Sequence, residues 1–318
     1  MSSGSNTIRA ARVLQHDAPL VVHDVSLLQP GPDEVRVELA FGGVNPVDRY
    51  IASGLVYPEG RLPRTLGGEA GGWVDGRPVL VAGEGLGTVR DGVWAQAAVV
   101  PRVSVVDLPD GVQPRQAAAM GIAGLTALNC VRHVAKVTAS DRVIALGASG
   151  GVGSMVVSLC AAAGATVWGQ TGSQAKAAGI LEEGAAHVVV GDAAQIAAEL
   201  DEFQPTVAFD ALGGAFMSTL VDAVAPHGRI VSFGVSAGAE VAFNMQHLYR
   251  KAVALLGYGG MQLTREQRLP GLREALAAVA AGDLKVRIDD VLPLEQVNDA
   301  FQRLIDRQVR GNLLLDLS

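Results

Sequence analysis

The sequence predicts an α/β protein, a doubly wound parallel sheet flanked by helices and joined to a second, β-rich unit. Three observations predict it. Val143-Ile-Ala-Leu-Gly147-Ala-Ser149-Gly150-Gly151-Val152-Gly153 runs an apolar strand into a glycine turn, and Ser154 to Ala163 can follow as an apolar helix. Six short apolar strands then recur as far as Leu256, most of them separated by helical stretches, which is the pattern of a parallel sheet. Before all of this, Ile8 to Val106 is dense in turns and short alternating strands and nearly free of helix.

In the N-terminal third, Ile8 to Leu14, Leu20 to Val22 and Glu34 to Leu39 alternate as strands, with Pro30-Gly31-Pro32 as a turn. A glycine-rich passage runs from Gly42 to Tyr57, with a short helix Asp48–Ser53 that Asp48 could cap. Asn45 before Pro46 is a turn-former. Glu69 lies in a second glycine run, where a carboxylate is expected to accept backbone N–H groups or face water. Arg77 to Val81 and Trp94 to Val100 are further strands. Tyr50 and Tyr57 are more often structural than catalytic, because an untuned phenol is a poor acid.

In the middle, Pro114 to Met120 and Leu125 to Val137 read as helices joined at Gly121 and Gly124. Strands follow at Arg142–Leu146, Thr166–Gly169, His187–Val190, Val207–Asp210, Arg229–Phe233 and Ala252–Leu256. Helices are expected at Gly151–Ala163, Gln174–Glu183, Ala193–Phe203 and Ala215–Ala225. At the C-terminal end, Leu269 to Ala281 reads as a helix with Pro270 in its first turn. A strand at Asp289–Pro293, a helix at Leu294–Ile305 and a closing strand at Leu313–Leu317 complete the chain.

Composition narrows the function classes. The formal net charge is −7 and no Lys/Arg run reaches four residues, so nucleic acid and anionic membranes are poor partners. Two cysteines, Cys130 and Cys160, do not make a disulfide framework and fit a reducing cytoplasm. The polar start of the chain lacks a secretory pattern, and no apolar run is of bilayer-spanning length. The six histidines show no ligand spacing, and two cysteines cannot supply a four-thiolate zinc site.

The glycine turn at the carboxyl end of the first parallel strand is a phosphate-binding device. Glycines admit the backbone close to a pyrophosphate, and a helix N-terminus presents free N–H groups. Binders of the non-phosphorylated cofactor place Asp or Glu at the end of the second strand, about twenty residues past the glycines. Here no acidic residue occurs between Asp141 and Glu182. The second strand ends in Gly169-Gln170-Thr171-Gly172-Ser173, with Lys176 close behind, which suits a 2′-phosphate and therefore NADPH.

Gly-Val-Asn45-Pro-Val-Asp48, Leu62-Pro…Gly67-Gly68-Glu69-Ala-Gly, Gly121-Ile-Ala-Gly-Leu-Thr126-Ala and Gly147-Ala-Ser-Gly-Gly-Val-Gly153 together resemble the medium-chain dehydrogenase/reductase superfamily. Within it the chain is similar to the zinc-less quinone oxidoreductase (zeta-crystallin-like) branch. Phe209-Asp210-Ala-Leu-Gly-Gly214, Gly228 to Gly234 and Gly311-Asn-Leu-Leu-Leu315 agree. The resemblance implies a GroES-like domain over residues 1–120 and 261–318, a Rossmann domain over 121–260, and an active site in the cleft between them. Asn45 and Gly68 stand where zinc-dependent relatives carry a Cys and a His ligand.

The resemblance also implies roles. Thr126, Gly147, Ser149, Gly150, Gly151, Val152 and Gly153 would meet the cofactor, with the last four facing its pyrophosphate. Thr171, Ser173, Lys176 and Arg307 would hold its 2′-phosphate end, and Phe233, Gly234 and Val235 the nicotinamide amide. Asn45, Asp48, Tyr50 and Tyr57 would line the substrate end. Gly191-Asp192 departs from the family, which often has Tyr or Arg there, and the segment Gly83 to Val93 is atypical.

The expected function is NADPH-dependent hydride transfer to a quinone or another conjugated acceptor, an enone or enoyl compound, by a cytoplasmic homodimer without zinc. A second reading is an NADPH-binding protein of vestigial catalysis that acts through partner or ligand binding. A third, an NAD-linked zinc alcohol dehydrogenase, is disfavoured by Asn45, Gly68 and the missing acidic residue.

Overall fold

The computed structural model describes residues 7–318. The chain forms two compact units. One comprises the residues up to Ala123 with Thr264–Ala280 and Ile288–Ser318; the other comprises Gly124–Leu263 with Ala281–Arg287.

The first unit is built from short antiparallel strands. They are β1 (Thr7–Val13), β2 (Val21–Ser26), β3 (Glu34–Val44), β4 (Arg64–Thr65), β5 (Glu69–Val74), β6 (Arg77–Ala82), β7 (Ala97–Pro101) and β8 (Val105–Asp107). The helices α1 (Pro46–Ala52) and α2 (Pro114–Ala117) interrupt and follow them. Its C-terminal contribution is β15 (Ile288–Pro293), α10 (Val297–Ile305) and β16 (Asn312–Asp316), preceded by α9 (Arg265–Ala281). A seven-stranded sheet runs β15-β16-β3-β5-β6-β8, with β7 also on β3, and a small sheet runs β2-β1-β4. The last residues of the chain are therefore integral to this unit: Leu313 to Asp316 pair with Val44 to Phe41. Leu313 and Leu315 are buried with Val37, Val81 and Trp94.

β3 corrects the sequence expectation. It does not stop at Leu39 but continues through Phe41, Gly42 and Gly43 to Val44. These glycines are strand residues under close approach. A Cβ on Gly42 would stand 2.7 Å from Trp94 Cδ1, and one on Gly43 would stand 2.1 Å from the Ala118 carbonyl. The Trp94 indole donates to the Gly43 carbonyl at 3.1 Å. Glycine in a strand marks such an approach.

Three helix expectations also shift. The short helix begins at Pro46, not Asp48, because proline suits the first helical position. α9 begins at Arg265, so Pro270 lies inside it rather than in its first turn. The cause is a capping pair, Thr264 and Gln267, with Gln267 Oε1 accepting the Thr264 N–H at 3.0 Å. The expected helix over Leu125–Val137 is α3 (Leu125–Leu128) followed by wide, π-type turns at Asn129–Ala135, and another wide stretch lies at Met120–Gly124.

The second unit is an all-parallel six-stranded sheet. Its strands are β9 (Arg142–Ala145), β10 (Thr166–Thr171), β11 (His187–Val190), β12 (Val207–Asp210), β13 (Arg229–Ser232) and β14 (Ala254–Gly257), in the order β11-β10-β9-β12-β13-β14. The connecting helices are α4 (Gly151–Ala162), α5 (Ala177–Glu183), α6 (Ala197–Phe203), α7 (Ala215–Ala223) and α8 (Met245–Arg250). The order reverses at β9, the point where such sheets leave a ligand crevice at the strand carboxyl ends. Ile144, Ala208, Ile230 and Leu220 fill the core with small aliphatic side chains. α6 starts four residues later than its expected Ala193, because Asp192 turns the chain: its Oδ1 accepts the N–H groups of Ala194 and Gln195, each at 3.0 Å. Among the described residues, no helix is long and apolar enough to cross a membrane.

Candidate functional site

In the first unit, the end of β3 delivers Asn45 to the start of α1. Asn45 is the cap residue, with extended backbone, and its N–H donates to Asp48 Oδ2 at 2.8 Å. Its side chain does more than form a turn. Asn45 Nδ2 donates to Glu69 Oε1 at 2.5 Å. Glu69 comes from β5 and is completely buried. Its other oxygen accepts the Ile122 N–H at 3.0 Å, a donor that the wide turn at Met120–Gly124 releases from regular helix bonding. The slot for this carboxyl is made by glycines. A Cβ on Gly43 would lie 2.5 Å from Glu69 Oε1, and one on Gly121 would lie 2.9 Å from Glu69 Cβ.

Burial dominates the electrostatics here. It pushes Asp48 up to about 7, against the lowering effect of its hydrogen bonds from Asn45. It pushes Glu69 up to about 8, again against hydrogen bonds, and the neighbouring Asp48 raises it further. Two carboxyls able to keep protons near neutrality thus lie on either side of one amide.

The phenols are nearby in sequence but separate in bonding. Tyr50 is half-buried on α1, with the Arg49 guanidinium 5.1 Å from its ring centre. Tyr57 follows in a turn, with φ of +56°, and packs against the unit's core. Among the described residues, neither hydroxyl is hydrogen-bonded to the Asn45–Glu69 cluster.

In the second unit, β9 ends in the glycine turn. Gly147 takes a φ of +64°, and Gly153 packs so tightly that a Cβ would stand 2.2 Å from the Gly147 carbonyl. Gly150 caps α4 with extended backbone and no side-chain hydrogen bond, so the first N–H groups, at Gly151 and Val152, have no local side-chain acceptor. Space above Gly150 is open apart from the Gly147 carbonyl at 3.4 Å. An anion fits this cradle.

β10 runs two residues beyond the expected Gly169. This buries Gln170 and Thr171 in the sheet and leaves Gly172 and Ser173 as its outer end. Ser149 Oγ and Thr171 Oγ1 are 3.4 Å apart, and the Ser173 N–H reaches Thr171 Oγ1 at 3.4 Å. Lys176 closes a short helical turn immediately after. Across the switch point, Asp210 Oδ1 accepts from the N–H groups of Leu212 and Gly213 at 2.8 and 2.9 Å. The Phe233 N–H donates to the Asp210 carbonyl at 3.0 Å, Gly234 lies against the Ala211 carbonyl, and Val235 is exposed. The second unit therefore gathers the turn, the Thr171–Lys176 end and the Phe233–Val235 end along its strand carboxyl termini. Thr126 is half-buried on α3 of the same unit. Arg307 belongs to the first unit, where it follows α10 with a φ of +55°.

A family model for zinc-binding dehydrogenases matches residues 151–278. The quinone oxidoreductase of Pseudomonas aeruginosa is 29% identical over 309 residues, covering 93% of this chain and 95% of its own. These matches bear out the resemblance to the medium-chain dehydrogenase/reductase superfamily and its quinone oxidoreductase branch. Among solved structures, a quinone oxidoreductase of Pseudomonas syringae pv. Tomato aligns with a TM-score of 0.84 at 28% identity, covering 97% of this chain and 99% of its own. An NAD-dependent alcohol dehydrogenase aligns with a TM-score of 0.87 at 25% identity, covering 98% of this chain and 100% of its own. This oxidoreductase thus shares both kinds of domain, a GroES-like β-rich domain and a Rossmann sheet, with enzymes of that superfamily.

For two residues of this fold the sequence left the side-chain partners unread. Glu69 does accept a backbone N–H, that of Ile122, as expected, but its Asn45 partner was not foreseen; the signal was a lone acid between glycines and apolar residues. Gln170 was placed past a strand end that actually lies beyond it; the signal was an amide within an otherwise apolar strand.

Proposed function

We propose that this chain is a zinc-independent, NADPH-dependent reductase that transfers hydride to a quinone or another conjugated acceptor, an enone or enoyl compound. The observation that carries the reading is the end of β10. Thr171, Gly172, Ser173 and Lys176 stand beside the glycine turn with no carboxylate among them. The carboxylate of Asp192, one strand further, is engaged with the backbone of its own turn. The names of the similar proteins support a quinone as acceptor.

The residues fit a nicotinamide dinucleotide. Gly150, Gly151, Val152 and Gly153 would hold its pyrophosphate, Ser173 and Lys176 its 2′-phosphate, and Phe233 to Val235 its amide. When bound, the reduced cofactor supplies the hydride. Zinc does not fit the donor set. Asn45 commits its amide nitrogen to Glu69, Gly68 has no side chain, and among the described residues no group of three or more His, Cys, Asp or Glu could hold a metal ion. The protein's contribution is orientation and a proton. Asn45 and Asp48 define the polar wall for the acceptor oxygen, and Tyr50 or Tyr57 delivers the proton to the reduced product.

We further read the enzyme as a cytoplasmic homodimer joined through β14, an edge strand whose Ala254 and Leu255 are exposed. The deciding experiment is a titration with NADPH and NADH, followed by turnover on matched quinone, enone and enoyl-thioester substrates. Tighter NADPH binding with quinone or enone turnover is expected. Binding without turnover on any acceptor would leave a cofactor-binding protein instead, and stoichiometric zinc by metal analysis would overturn the metal-free reading.

A further inference from the structure

Gln170 is 2% exposed, and both ends of its carboxamide are hydrogen-bonded to backbone. Its Oε1 accepts the Gly147 N–H at 3.0 Å. Its Nε2 donates to the Gly191 carbonyl at 2.8 Å. Its own carbonyl accepts the Ala148 N–H at 2.9 Å. One side chain therefore ties together the ends of three adjacent parallel strands. Gly147 opens the glycine turn after β9, Gln170 stands in β10, and Gly191 opens the turn after β11.

We propose that Gln170 is a positioning residue for the dinucleotide: its carboxamide sets the glycine turn in register with the turn after β11. The inference rests on the reading of the second unit as the cofactor site. The chemistry requires glutamine. The Gly147 N–H needs an acceptor and the Gly191 carbonyl needs a donor, and both must come from one side chain of this length. Glutamate supplies the acceptor and, when ionised, opposes the Gly191 carbonyl with a second oxygen. Methionine fills the same volume and supplies neither. Asparagine is one methylene too short to keep both bonds. Without the clamp, Gly147 at φ +64° has no acceptor to hold its N–H inward, and the first N–H groups of α4 no longer start from a fixed point.

The test is cofactor binding by the whole protein, measured as NADPH fluorescence and by calorimetry with NADP⁺, for the wild type, Gln170→Met and Gln170→Glu. The expected result is a dissociation constant raised about tenfold for Gln170→Met, from removal of two hydrogen bonds. Gln170→Glu is raised further, because it also places negative charge beneath an anion-binding turn. With saturating NADPH, kcat and the acceptor KM stay within about twofold of wild type, a split that a general loss of structure does not produce. If Gln170→Met does not fold, Gln170→Glu, which keeps the bond to Gly147, carries the test. Wild-type affinity in both variants overturns the proposal, and so does collapse of both, which would make Gln170 a residue of stability alone. If the wild type itself binds neither NADPH nor NADH, the cofactor reading fails and the proposal falls with it.

Discussion

Asn45 Nδ2 donates to Glu69 Oε1 across 2.5 Å, in a slot that Gly43 and Gly121 keep open. The pair joins the cap of α1 to the middle of the large sheet. Glu69 also accepts from Ile122, so the wide-turn segment is held by the same carboxyl.

Burial raises Glu69 to about 8 and Asp48 to about 7. In an unfolded chain such carboxyls titrate near 4. Between those values the folded chain holds more protons than the unfolded one, so stability falls as pH rises. The contribution is complete below about pH 4 and is lost as pH climbs through 7 to 8. Glu69→Gln is uncharged throughout and can be met by a flipped Asn45 amide. Urea denaturation of both proteins at several pH values between about 5.5 and 8.5 should show a shallower pH slope for the variant. Equal slopes would remove Glu69 as the titrating group.

Asn45→Ala leaves Glu69 Oε1 buried without its donor. An unsatisfied buried acceptor costs about 1–3 kcal/mol, and denaturant midpoints should fall accordingly. A variant as stable as the wild type would mean that another donor, or water, takes the place of the amide.

Gly153→Ala puts a Cβ 2.2 Å from the Gly147 carbonyl, whereas Gly172→Ala meets nothing within 4 Å. Overpacking of the first kind costs about 1–3 kcal/mol, and it should also abolish NADPH binding by displacing the turn. Gly172→Ala should keep its stability. Calorimetric titration of the two variants side by side checks the contrast, and intact binding by Gly153→Ala would contradict the close packing of turn and helix.

Ser173→Ala combined with Lys176→Ala should weaken NADPH binding about tenfold to a hundredfold for each charge-assisted hydrogen bond removed, with NADH binding unchanged. The ratio of the two dissociation constants is the measurement. Equal weakening for both cofactors would move the 2′-phosphate elsewhere.

Tyr57→Phe, and Tyr50→Phe beside it, separates enone from quinone chemistry. General-acid help is worth about 10²–10⁴-fold, and a reduced quinone, already a stabilised anion, needs it less. The enone kcat should drop far more than the quinone kcat. Negligible effects on both substrates in both variants would take the phenols out of the mechanism.

Several features were legible because they are local. Glycine spacing, the apolar strand before it and the absence of carboxylates from Arg142 to Leu181 are properties of neighbouring residues. Strand and helix alternation from β9 to β14 is similarly local, and its boundaries shifted by only a few residues. Errors arose where a distant partner overrode local propensity. Gly42 and Gly43 read as lying past a strand end at Leu39 until Trp94 and Ala118 are seen to press on them. Pro270 reads as a helix start until Thr264 and Gln267 cap the helix earlier.

By itself the sequence determined the two kinds of architecture, the glycine turn and the carboxylate-free end of β10, because periodicity, backbone freedom and charge are carried by adjacent residues. Tertiary structure alone decided that Glu69 meets Asn45 and Ile122, and that Gln170 spans Gly147 and Gly191. Those partners lie between 21 and 53 positions apart. Only strand register and burial bring them within hydrogen-bonding reach, and burial then leaves each polar group dependent on the partner it finds.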